Sequence, residues 1–363
     1  MISPMSLDDL RRQIDAIDSE IIRLLNERAE VVHGIGEIKK RDGLEIYAPE
    51  REESLLRSLV AKGEGGRLPE VSIRAIYREI MSAALALEDD LKIAYLGPPG
   101  TWTHQAAVAK FGHSVAYLEH TSFADVFAQV EGREADYGVV PIENSTEGAV
   151  RDVIRLFERH QLKICAEILL PIEVCLMARN GRDAIQRIGG HPANLAAAKR
   201  WIAREHPGCE LVEFVSTSLA VAEAAKDPAF AAVGGSMAAE IGGLHPVARR
   251  IEDEDSVARF SVVGRSSCPP TGRDKTLLSV SGSEFGGIIF EVLRVLDAHG
   301  VETIRLDGHE AGGGPGGTVR FEVEGHAETA PLADAVAQLV EAGRSVTVLG
   351  SYPDLRPQPS DGD

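Results

Sequence analysis

The sequence predicts a multidomain protein in which an all-α unit is followed by a two-lobed α/β unit and then by a ferredoxin-like α+β unit. Three observations predict this order. Apolar residues recur at helical spacing from residue 6 to residue 90. Short apolar strands then alternate with helices as far as residue 265, which is typical of an α/β fold. Residues 275 to 353 follow the order strand, helix, strand, strand, helix, strand, which is typical of a ferredoxin-like fold. We therefore expect domains at 1–91, 92–266 and 274–354.

The composition of the 363 residues argues against several classes of protein. The net charge is −18, from 38 basic and 56 acidic residues, which argues against nucleic acid as a partner. The four cysteines have neither paired nor metal-type spacing, and there is no phosphate-binding glycine loop. The chain has no signal segment, and no apolar run approaches the ~18 residues of a membrane span. We therefore expect a cytoplasmic protein that needs no membrane, no metal and no other cofactor.

The all-α unit opens with one very long helix. Ser6 and Asp9 resemble a helix N-cap, and the helix that follows has about 35 residues, or roughly 50 Å. Its apolar stripe consists of Leu10, Ile14, Ile17, Ile21, Leu24, Val31, Ile35 and Ile38. Such a stripe is too long to be buried within its own unit, so a homodimer is expected. A second helix begins at Pro49, and a third runs from Pro69 to about Glu88.

Three cations lie on or beside the apolar stripe. Arg28 and Lys39 point within roughly 20° of each other and lie about 16 Å apart, which leaves a gap suited to a small dianion. Arg11 is about 25 Å from Arg28 and cannot easily reach that gap, but the same residue of an antiparallel partner helix could. The alternative is a solvated charged face on a helical dimer.

Residues 7–88 resemble the all-helical chorismate mutases, specifically the domain that begins bifunctional chorismate mutase–prephenate dehydratases. The resemblance rests on LRRQIDAIDSEIIRLLNER, IGEIK, PERE and EIMSAALALE. It implies a substrate site formed by Arg11 of the partner subunit, Arg28, Lys39, Ala48, Arg51, Glu52, Ala84 and Glu88. The alternative is a degenerate helical domain that only dimerises.

The roles that the resemblance implies suit a one-step pericyclic reaction. The cations surround the two carboxylates of the substrate, Glu52 binds the ring hydroxyl, and Lys39 and Glu88 face the ether oxygen. Fixed charges can hold the reactive conformer and stabilise the charge that develops on the breaking C–O bond. Many relatives have glutamine in place of Glu88, so Glu88 must be protonated to donate a hydrogen bond there. Ala48 and Ala84 can offer only backbone contacts.

The α/β unit reads as a mostly parallel sheet, with room for two lobes and a cleft. Its polar motifs are GPPGTWTHQAA at 97–107, VVPIENSTEGAV at 139–150, HPANLAAAKRW at 191–201, VSTSLA at 215–220 and ARF at 258–260. Each motif alone is typical of a helix cap or turn at a strand end. In this order they resemble the prephenate dehydratase catalytic domain. The resemblance implies a cleft site formed by Thr101, Asn144, Ser145, Thr146, Ser216, Thr217, Ala258, Arg259 and Phe260.

Two positions of this cleft depart from the family pattern. Ala258 replaces a threonine that is the expected proton donor, and Ala193 replaces a glutamine. Thr217 or a water could compensate for one such loss. Three readings follow: an ordinary dehydratase, an altered reaction on prephenate such as decarboxylation with the ring hydroxyl retained, or a domain that binds without turnover.

The last unit resembles the ACT regulatory domain of the same family. The implied effector site comprises Gly286, Gly287 and Ile288 in one turn, and Asp307 and Gly308 in a second loop. The second loop lacks the arginine and proline of relatives, so weak or absent feedback by phenylalanine is expected. A plain dimerisation module is the alternative.

Together these resemblances imply a cytoplasmic homodimer that converts chorismate to prephenate and prephenate to phenylpyruvate, with an aromatic amino acid as its effector. One alternative is an intact mutase joined to a modified or inactive prephenate domain of secondary metabolism. Another is a sensor of aromatic metabolites without turnover. The sequence leaves open whether the ring of the mutase substrate carries a hydroxyl or an amine, and whether the protein is a dimer or a tetramer.

Overall fold

The computed structural model describes residues 6–144, 148–157, 159–181, 185–310 and 316–356. Its all-α unit consists of α1 (Leu7–Asp42), α2 (Pro49–Gly63) and α3 (Glu70–Glu88). Ser6 and Asp9 form a reciprocal capping box at the start of α1, as the sequence predicts. Gly43, with φ of 67°, ends α1 in the left-handed conformation that glycine adopts without strain.

The apolar stripe of α1 is exposed in the single chain. Ile17 is 59% exposed and Val31 is 65% exposed, while only Val32 and Gly36 of this helix are buried. The remaining exposed members are Leu10, Ile14, Ile21, Leu24, Ile35 and Ile38. An apolar face that runs the length of a helix is stable in water only when another surface covers it.

The α/β unit contains two sheets rather than one. Its elements are β1 (Lys92–Leu96), α4 (Trp102–Phe111), β2 (Ala116–His120), α5 (Phe123–Glu131), β3 (Tyr137–Asn144), β4 (Gly148–Ala149), α6 (Arg151–Phe157), β5 (Lys163–Pro171), β6 (Val174–Ala178), β7 (Arg187–Gly190), α7 (Pro192–Ala197), α8 (Lys199–Glu205), β8 (Glu210–Glu213), α9 (Thr217–Lys226), β9 (Phe230–Gly235), α10 (Ser236–Ile241), β10 (His245–Arg249) and β11 (Val257–Gly264). Lobe 1 has the strand order β2-β1-β3-β11-β5, with β4 added to β3. Lobe 2 has the order β10-β6-β9-β7-β8, so the expected two-lobed arrangement is found.

The expectation of a mostly parallel sheet is wrong. β1 pairs in parallel with β2 and β3, and β7 with β8 and β9, but β11 is antiparallel to both of its neighbours. β6 is likewise antiparallel to β9 and β10. The reason is that the chain leaves lobe 1 after Pro171 and returns from lobe 2 only at Val257. Its last strand therefore inserts into the middle of the first sheet from the opposite direction.

The two crossings between the lobes run side by side. The Ile172 N–H donates to the Ser256 carbonyl (2.9 Å), and the Ile251 N–H donates to the Val174 carbonyl (3.0 Å). The acidic stretch that follows β10 belongs to this connection, and Asp253 accepts hydrogen bonds from the backbone of Arg200 and Trp201 at the start of α8. The two lobes are thus joined by a hydrogen-bonded pair of segments.

The C-terminal unit has the predicted βαββαβ order. Its elements are β12 (Asp274–Gly282), α11 (Phe285–Ala298), β13 (Thr303–Glu310), β14 (Gly317–Glu324), α12 (Leu332–Glu341) and β15 (Ser345–Pro353). They form an antiparallel sheet in the order β13-β14-β12-β15, which is the ferredoxin-like topology. β15 packs against β5 of lobe 1, where a Cβ on Gly350 would overlap the backbone of Ile164. Glycine at this position allows the C-terminal unit to lie directly against lobe 1.

A glycine also sets the contact between α1 and the end of α3. A Cβ on Gly36 would lie 3.1–3.3 Å from the Cγ, Cβ and Cα atoms of Glu88, whereas a Cβ on Gly34 would meet nothing within 4 Å. Because alanine favours helix over glycine by about 1 kcal/mol, Gly34→Ala should raise the free energy of unfolding. Gly36→Ala should be less stable than Gly34→Ala by about 1–3 kcal/mol, since the Glu88 backbone must move. Denaturant unfolding followed by circular dichroism measures both; equal stabilisation would contradict this packing.

Candidate active sites

The all-α unit brings Lys39 and Glu88 together, as the resemblance implies. The Lys39 ammonium on α1 donates to the Ile46 carbonyl (2.6 Å) and lies 3.3 Å from a carboxylate oxygen of Glu88 on α3. Only 21% of the Lys39 side chain and 8% of the Glu88 side chain are exposed. The close approach at Gly36 allows this contact between the two helices. A cation and a carboxyl group are therefore held next to each other in a partly dry site.

The other predicted cations are spread along the same helices. Arg28 is half-buried on α1 and Arg51 is exposed on α2. Arg11 lies near the start of α1, where its side chain is 67% exposed and pairs with Asp8 (3.4 Å). Ala48 is the N-cap residue of α2, and Ala84 is buried on α3. The single chain does not bring Arg11 to the Lys39–Glu88 pair, so a role for Arg11 of the partner subunit stays a prediction.

Glu52 contacts a different part of the molecule from the one that the resemblance implies. Its carboxylate accepts hydrogen bonds from Arg78 on α3 (2.6 Å) and from Lys110 on α4 (2.7 Å), and the residue is only 8% exposed. Burial opposes ionisation of Glu52, but the two cations outweigh that effect and hold the pKa of this carboxyl below its usual range. Glu52 thus joins α2 and α3 to α4 of lobe 1. Sequence reasoning missed Lys110, because nothing local marks a partner 58 residues away.

On the α/β unit, Thr101 and His104 stabilise the Gly-Pro turn before α4. The Thr101 hydroxyl donates to the Leu96 carbonyl (3.1 Å) and accepts from the His104 N–H (3.3 Å). The His104 Nδ1 atom accepts a hydrogen bond from the Gly100 N–H (3.1 Å), and its ring stacks on Tyr95 with a centroid distance of 4.6 Å. Burial lowers the pKa of His104. The imidazole is therefore held neutral, because only a neutral Nδ1 can accept that bond.

Two further predicted residues begin α9 in lobe 2. Ser216 is its N-cap, and the hydroxyl accepts from the Leu219 N–H (3.4 Å). Thr217 receives a hydrogen bond from the Asn194 side-chain amide (3.0 Å), and the Trp102 indole N–H donates to the Asn194 carbonyl oxygen (3.2 Å). Sequence reasoning missed Asn194, although it follows Ala193 directly within a motif that drew attention. The available signal was the side-chain amide of Asn194, which directly follows Ala193, where relatives have the amide of glutamine.

In the structure, acidic side chains on the side of β11 opposite to Ala258 bind Arg259, so its role in the cleft stays a prediction. Side chains alternate along a strand, so Ala258 and Phe260 face the core of lobe 1 while Arg259 faces the opposite side. There the guanidinium binds Glu167 with two hydrogen bonds (2.8 and 2.6 Å) and Glu143 with one (2.9 Å).

The partners of Arg259 extend into the C-terminal unit. Arg259 also donates to Glu322 on β14 (2.6 Å), and the Lys275 ammonium on β12 lies 2.9 Å from Glu167 and 2.8 Å from Glu322. The Tyr352 hydroxyl donates to Glu322 (3.2 Å). We name these side chains the Arg259 cluster, which consists of Glu143, Glu167, Arg259, Lys275, Glu322 and Tyr352. A cavity of about 240 Å³ adjoins the cluster. The cluster ties β11 to the C-terminal unit.

The proposed effector residues differ in their surroundings. Asp307 forms an ion pair with Arg320, and Gly308 lies under the ring of Phe285. A side chain at Gly286 would meet nothing within 4 Å, and one at Gly287 would approach Glu284. Ile288 is fully buried in the core of the C-terminal unit, so its side chain packs within the domain rather than lining an open effector site.

Some expected features fall outside what the structure can describe. Ser145, Thr146 and the side chain of Asn144 lie outside the described residues. Within the described ranges, no group of three or more His, Cys, Asp or Glu side chains is arranged to hold a metal ion. None of the described helices is both long enough and apolar enough to cross a membrane.

Comparison with known proteins covers nearly the whole chain. Residues 10–89 match the family model described as chorismate mutase type II, and residues 93–268 match the model described as prephenate dehydratase. A bifunctional chorismate mutase/prephenate dehydratase of Aquifex aeolicus (strain VF5) is 37% identical over 96% of this chain and 98% of its own length. One from Neisseria gonorrhoeae (strain ATCC 700825 / FA 1090) is 38% identical over 94% of this chain and 96% of its length.

Among solved structures, the prephenate dehydratase of Arthrobacter aurescens in complex with L-Phe is similar to this chain with a TM-score of 0.67 and 30% identity. The similarity covers 74% of this chain and 92% of that one.

The neutral state of His104 predicts a loss of stability in acid. Since the pKa of His104 is lower in the folded than in the unfolded chain, the unfolded chain takes up the proton first. The contribution of His104 to the free energy of unfolding is complete above its unfolded-state pKa of about 6.5. It is lost as pH falls through the lower folded-state pKa. Glu119 opposes this shift and His113 favours it.

Changing His104 to asparagine tests this assignment. An asparagine oxygen can accept the Gly100 N–H without titrating, so His104→Asn should unfold with a weaker dependence on pH between about 5 and 7.5 than the wild type. Denaturant midpoints across that range provide the measurement, and His33→Asn on the exposed part of α1 is the control. An unchanged pH dependence in His104→Asn would rule the assignment out.

Proposed function

Because the chain belongs to the family of bifunctional chorismate mutase/prephenate dehydratases, its helical unit is a chorismate mutase and its α/β unit a prephenate dehydratase, and we propose how each unit acts. The protein rearranges chorismate to prephenate and converts prephenate to phenylpyruvate, two steps of phenylalanine biosynthesis. The match to the Aquifex aeolicus protein over 96% of this chain carries this conclusion. The alternatives raised by Ala258 and Ala193, a non-aromatising decarboxylase or a sensor, are not favoured by these relatives. We propose that the enzyme works in the cytoplasm.

In the mutase, Lys39 and Glu88 are proposed to bind the ether oxygen of chorismate. Their separation of 3.3 Å in a partly buried site supports this role, because both can reach one oxygen of a small substrate. Negative charge grows on that oxygen as the C–O bond breaks, and a fixed ammonium stabilises it without reorganisation. Arg28 and Arg51 are proposed to hold the carboxylates. Glu88 is proposed to contact the same ether oxygen through its carboxyl group.

Glu52 is proposed to reach the ring hydroxyl, or an amine in its place, only by exchanging one of its cationic partners for the substrate. In the single chain it is bound by Arg78 and Lys110. The mutase substrate would therefore compete with an interdomain contact at this carboxylate. Ala48 and Ala84 are proposed to line the same site through their backbones.

Replacing Lys39 separates the two activities. Given chorismate, the wild-type protein should consume it and form phenylpyruvate. Lys39→Ala should lower kcat/KM for chorismate on the order of 10²–10³-fold, since the charge on the ether oxygen loses its counterion. Its conversion of added prephenate should be unchanged. The neighbouring Lys40→Ala, whose pairing with Asp89 is half-exposed, is the matched control. Equal losses in both variants, or in both reactions, would refute the role of Lys39.

We further propose that the exposed stripe of α1 is covered by a second copy of this chain. An antiparallel pairing of two α1 helices would bury both stripes and would carry Arg11 of the partner subunit towards the Arg28–Lys39 gap. The stripe extends over the length of α1, and its members alternate at helical spacing. A homodimer is thus the proposed catalytic form of the mutase.

A charge placed on the stripe tests the dimer. Ile17→Asp should give a monomer in analytical ultracentrifugation, because a buried unpaired carboxylate costs several kcal/mol per copy. Its mutase activity should fall by more than about 100-fold with the loss of Arg11, while prephenate turnover remains. Asn26→Asp adds the same charge about 180° around the helix and should leave the dimer intact. A monomeric protein with full mutase activity would refute the arrangement.

The C-terminal unit is proposed to be an ACT domain that binds an aromatic amino acid. Its ferredoxin-like topology and the L-Phe complex of the Arthrobacter aurescens enzyme support this proposal. Gly286 and Gly287 remain candidates for the turn that contacts the effector. Asp307 already pairs with Arg320, so the second loop offers little free charge for an amino acid. We therefore propose weak feedback.

A further inference from the structure

A buried amide connects the two lobes at a point where the cleft lacks expected polar groups. We propose that Asn194 is a positioning residue that fixes the hydroxyl of Thr217, so that Thr217 donates a hydrogen bond to the departing oxygen of prephenate in place of the hydroxyl that Ala258 lacks. This inference rests on the dehydratase function stated above. It makes Thr217 a candidate catalytic residue and gives Asn194 a role in orienting it.

The orientation of the Asn194 amide follows from its neighbour. The indole N–H of Trp102 can only donate, so the atom that faces it at 3.2 Å must be the amide oxygen. The amide nitrogen therefore faces the Thr217 hydroxyl (3.0 Å) and the Val233 carbonyl (3.5 Å). Asn194 is only 5% exposed, and both of its amide hydrogens and its oxygen are engaged. The amide is thus locked in one orientation.

This orientation leaves the Thr217 proton for another partner. Since the amide nitrogen is a donor, the Thr217 oxygen must accept in that bond. Among the residues that the structure describes, the Thr217 hydroxyl accepts from Asn194 and donates no hydrogen bond. A hydroxyl that accepts one strong bond donates a second one more readily, because hydrogen bonds in a chain polarise one another. Thr217 is thereby prepared to donate to a ligand.

The rotamer of Thr217 is fixed from its other side as well. A Cβ on Gly234 would overlap the Thr217 methyl group, so the methyl occupies the space that this glycine leaves open. The methyl is held at Gly234 and the oxygen is held at Asn194. With both substituents of its Cβ located, Thr217 is held in one rotamer and the position of its hydroxyl oxygen is fixed.

The same contacts lie at the boundary of the two lobes. Asn194 and Thr217 belong to lobe 2, whereas Trp102 begins α4 of lobe 1. The Trp102 ring packs against the core of lobe 1 that contains Ala258 and also against a core of lobe 2. A hydroxyl held through Trp102 and Asn194 is therefore connected to the part of the lobe 1 core that contains Ala258.

The chemistry needs one donor and no covalent intermediate. The bond between the ring and its carboxylate breaks, CO₂ leaves, and the electron pair enters the ring. The ring C–O bond also breaks, and its electron pair leaves with the oxygen as hydroxide. Prephenate thus gives phenylpyruvate, CO₂ and hydroxide, with charge balanced. Solvent then protonates the hydroxide. A hydrogen bond from Thr217 to that oxygen strengthens as its negative charge grows, which lowers the barrier.

The test is a double-mutant cycle on the full chain with prephenate as substrate. Asn194→Asp preserves size and still accepts from Trp102, but its second oxygen draws the Thr217 proton away from the substrate. Asn194→Asp and Thr217→Val should each lower kcat about 10²-fold with little change in KM, and Thr217→Ser should retain most of the activity. The double variant Asn194→Asp/Thr217→Val should be no slower than Thr217→Val alone.

Several controls separate the possible failures. Circular dichroism and thermal unfolding of the same samples report whether each variant is folded, and Asn180→Asp on the exposed surface of lobe 2 controls for the added charge. If Asn194→Asp lowers kcat equally with and without Thr217, its role is structural and the inference is wrong. An Asn194→Asp variant with wild-type kcat overturns it as well. If the unmodified protein forms no phenylpyruvate from prephenate, the dehydratase function itself fails.

Discussion

The Arg259 cluster is the constraint on which the arrangement of the α/β and C-terminal units depends. It places Arg259 and Lys275 among Glu143, Glu167 and Glu322, with little of any of these side chains exposed. Burial alone would raise the pKa of Glu322, but Lys275 and Arg259 hold it below its usual range. A buried charge that loses its partner costs about 3–5 kcal/mol, so each member requires the others. The cluster therefore specifies one docking position for the C-terminal unit more than it adds stability.

The mutase is joined to the rest of the chain by the same kind of interaction. Glu52 lies between Arg78 of its own domain and Lys110 of lobe 1, and Tyr47 packs beside it against Phe111 and Tyr137. Apolar contacts stabilise the interface between the mutase domain and lobe 1, and the ion pairs fix the relative position of the two. In both junctions a residue that the family resemblance assigns to a substrate is engaged by a neighbouring domain. Residue type at a motif position therefore does not by itself give the partner of a side chain.

Local features of this fold could be read from the sequence, and non-local ones could not. The capping box at Ser6, the exposed stripe of α1 and the βαββαβ order follow from spacing and turn residues within short windows. β5 and β6 are only two residues apart in the sequence, but the chain crosses from lobe 1 to lobe 2 between Pro171 and Val174. The direction of β11, the side to which Arg259 points, and the meeting of Trp102 with Asn194 all depend on that crossing. These contacts join residues far apart in sequence, for which no periodicity gives a signal.

The paired crossings at Ile172 and Ser256 have a consequence for synthesis of the protein on the ribosome. Lobe 2 is an insertion within lobe 1, whose central strand β11 is translated after all of lobe 2. At a translation rate of about 5–20 residues per second, the edges of β3 and β5 stay unpaired for several seconds before β11 is synthesised and inserts between them. During that interval they offer unpaired backbone groups to any extended chain nearby. The nascent polypeptide is therefore open to incorrect strand pairing until β11 emerges.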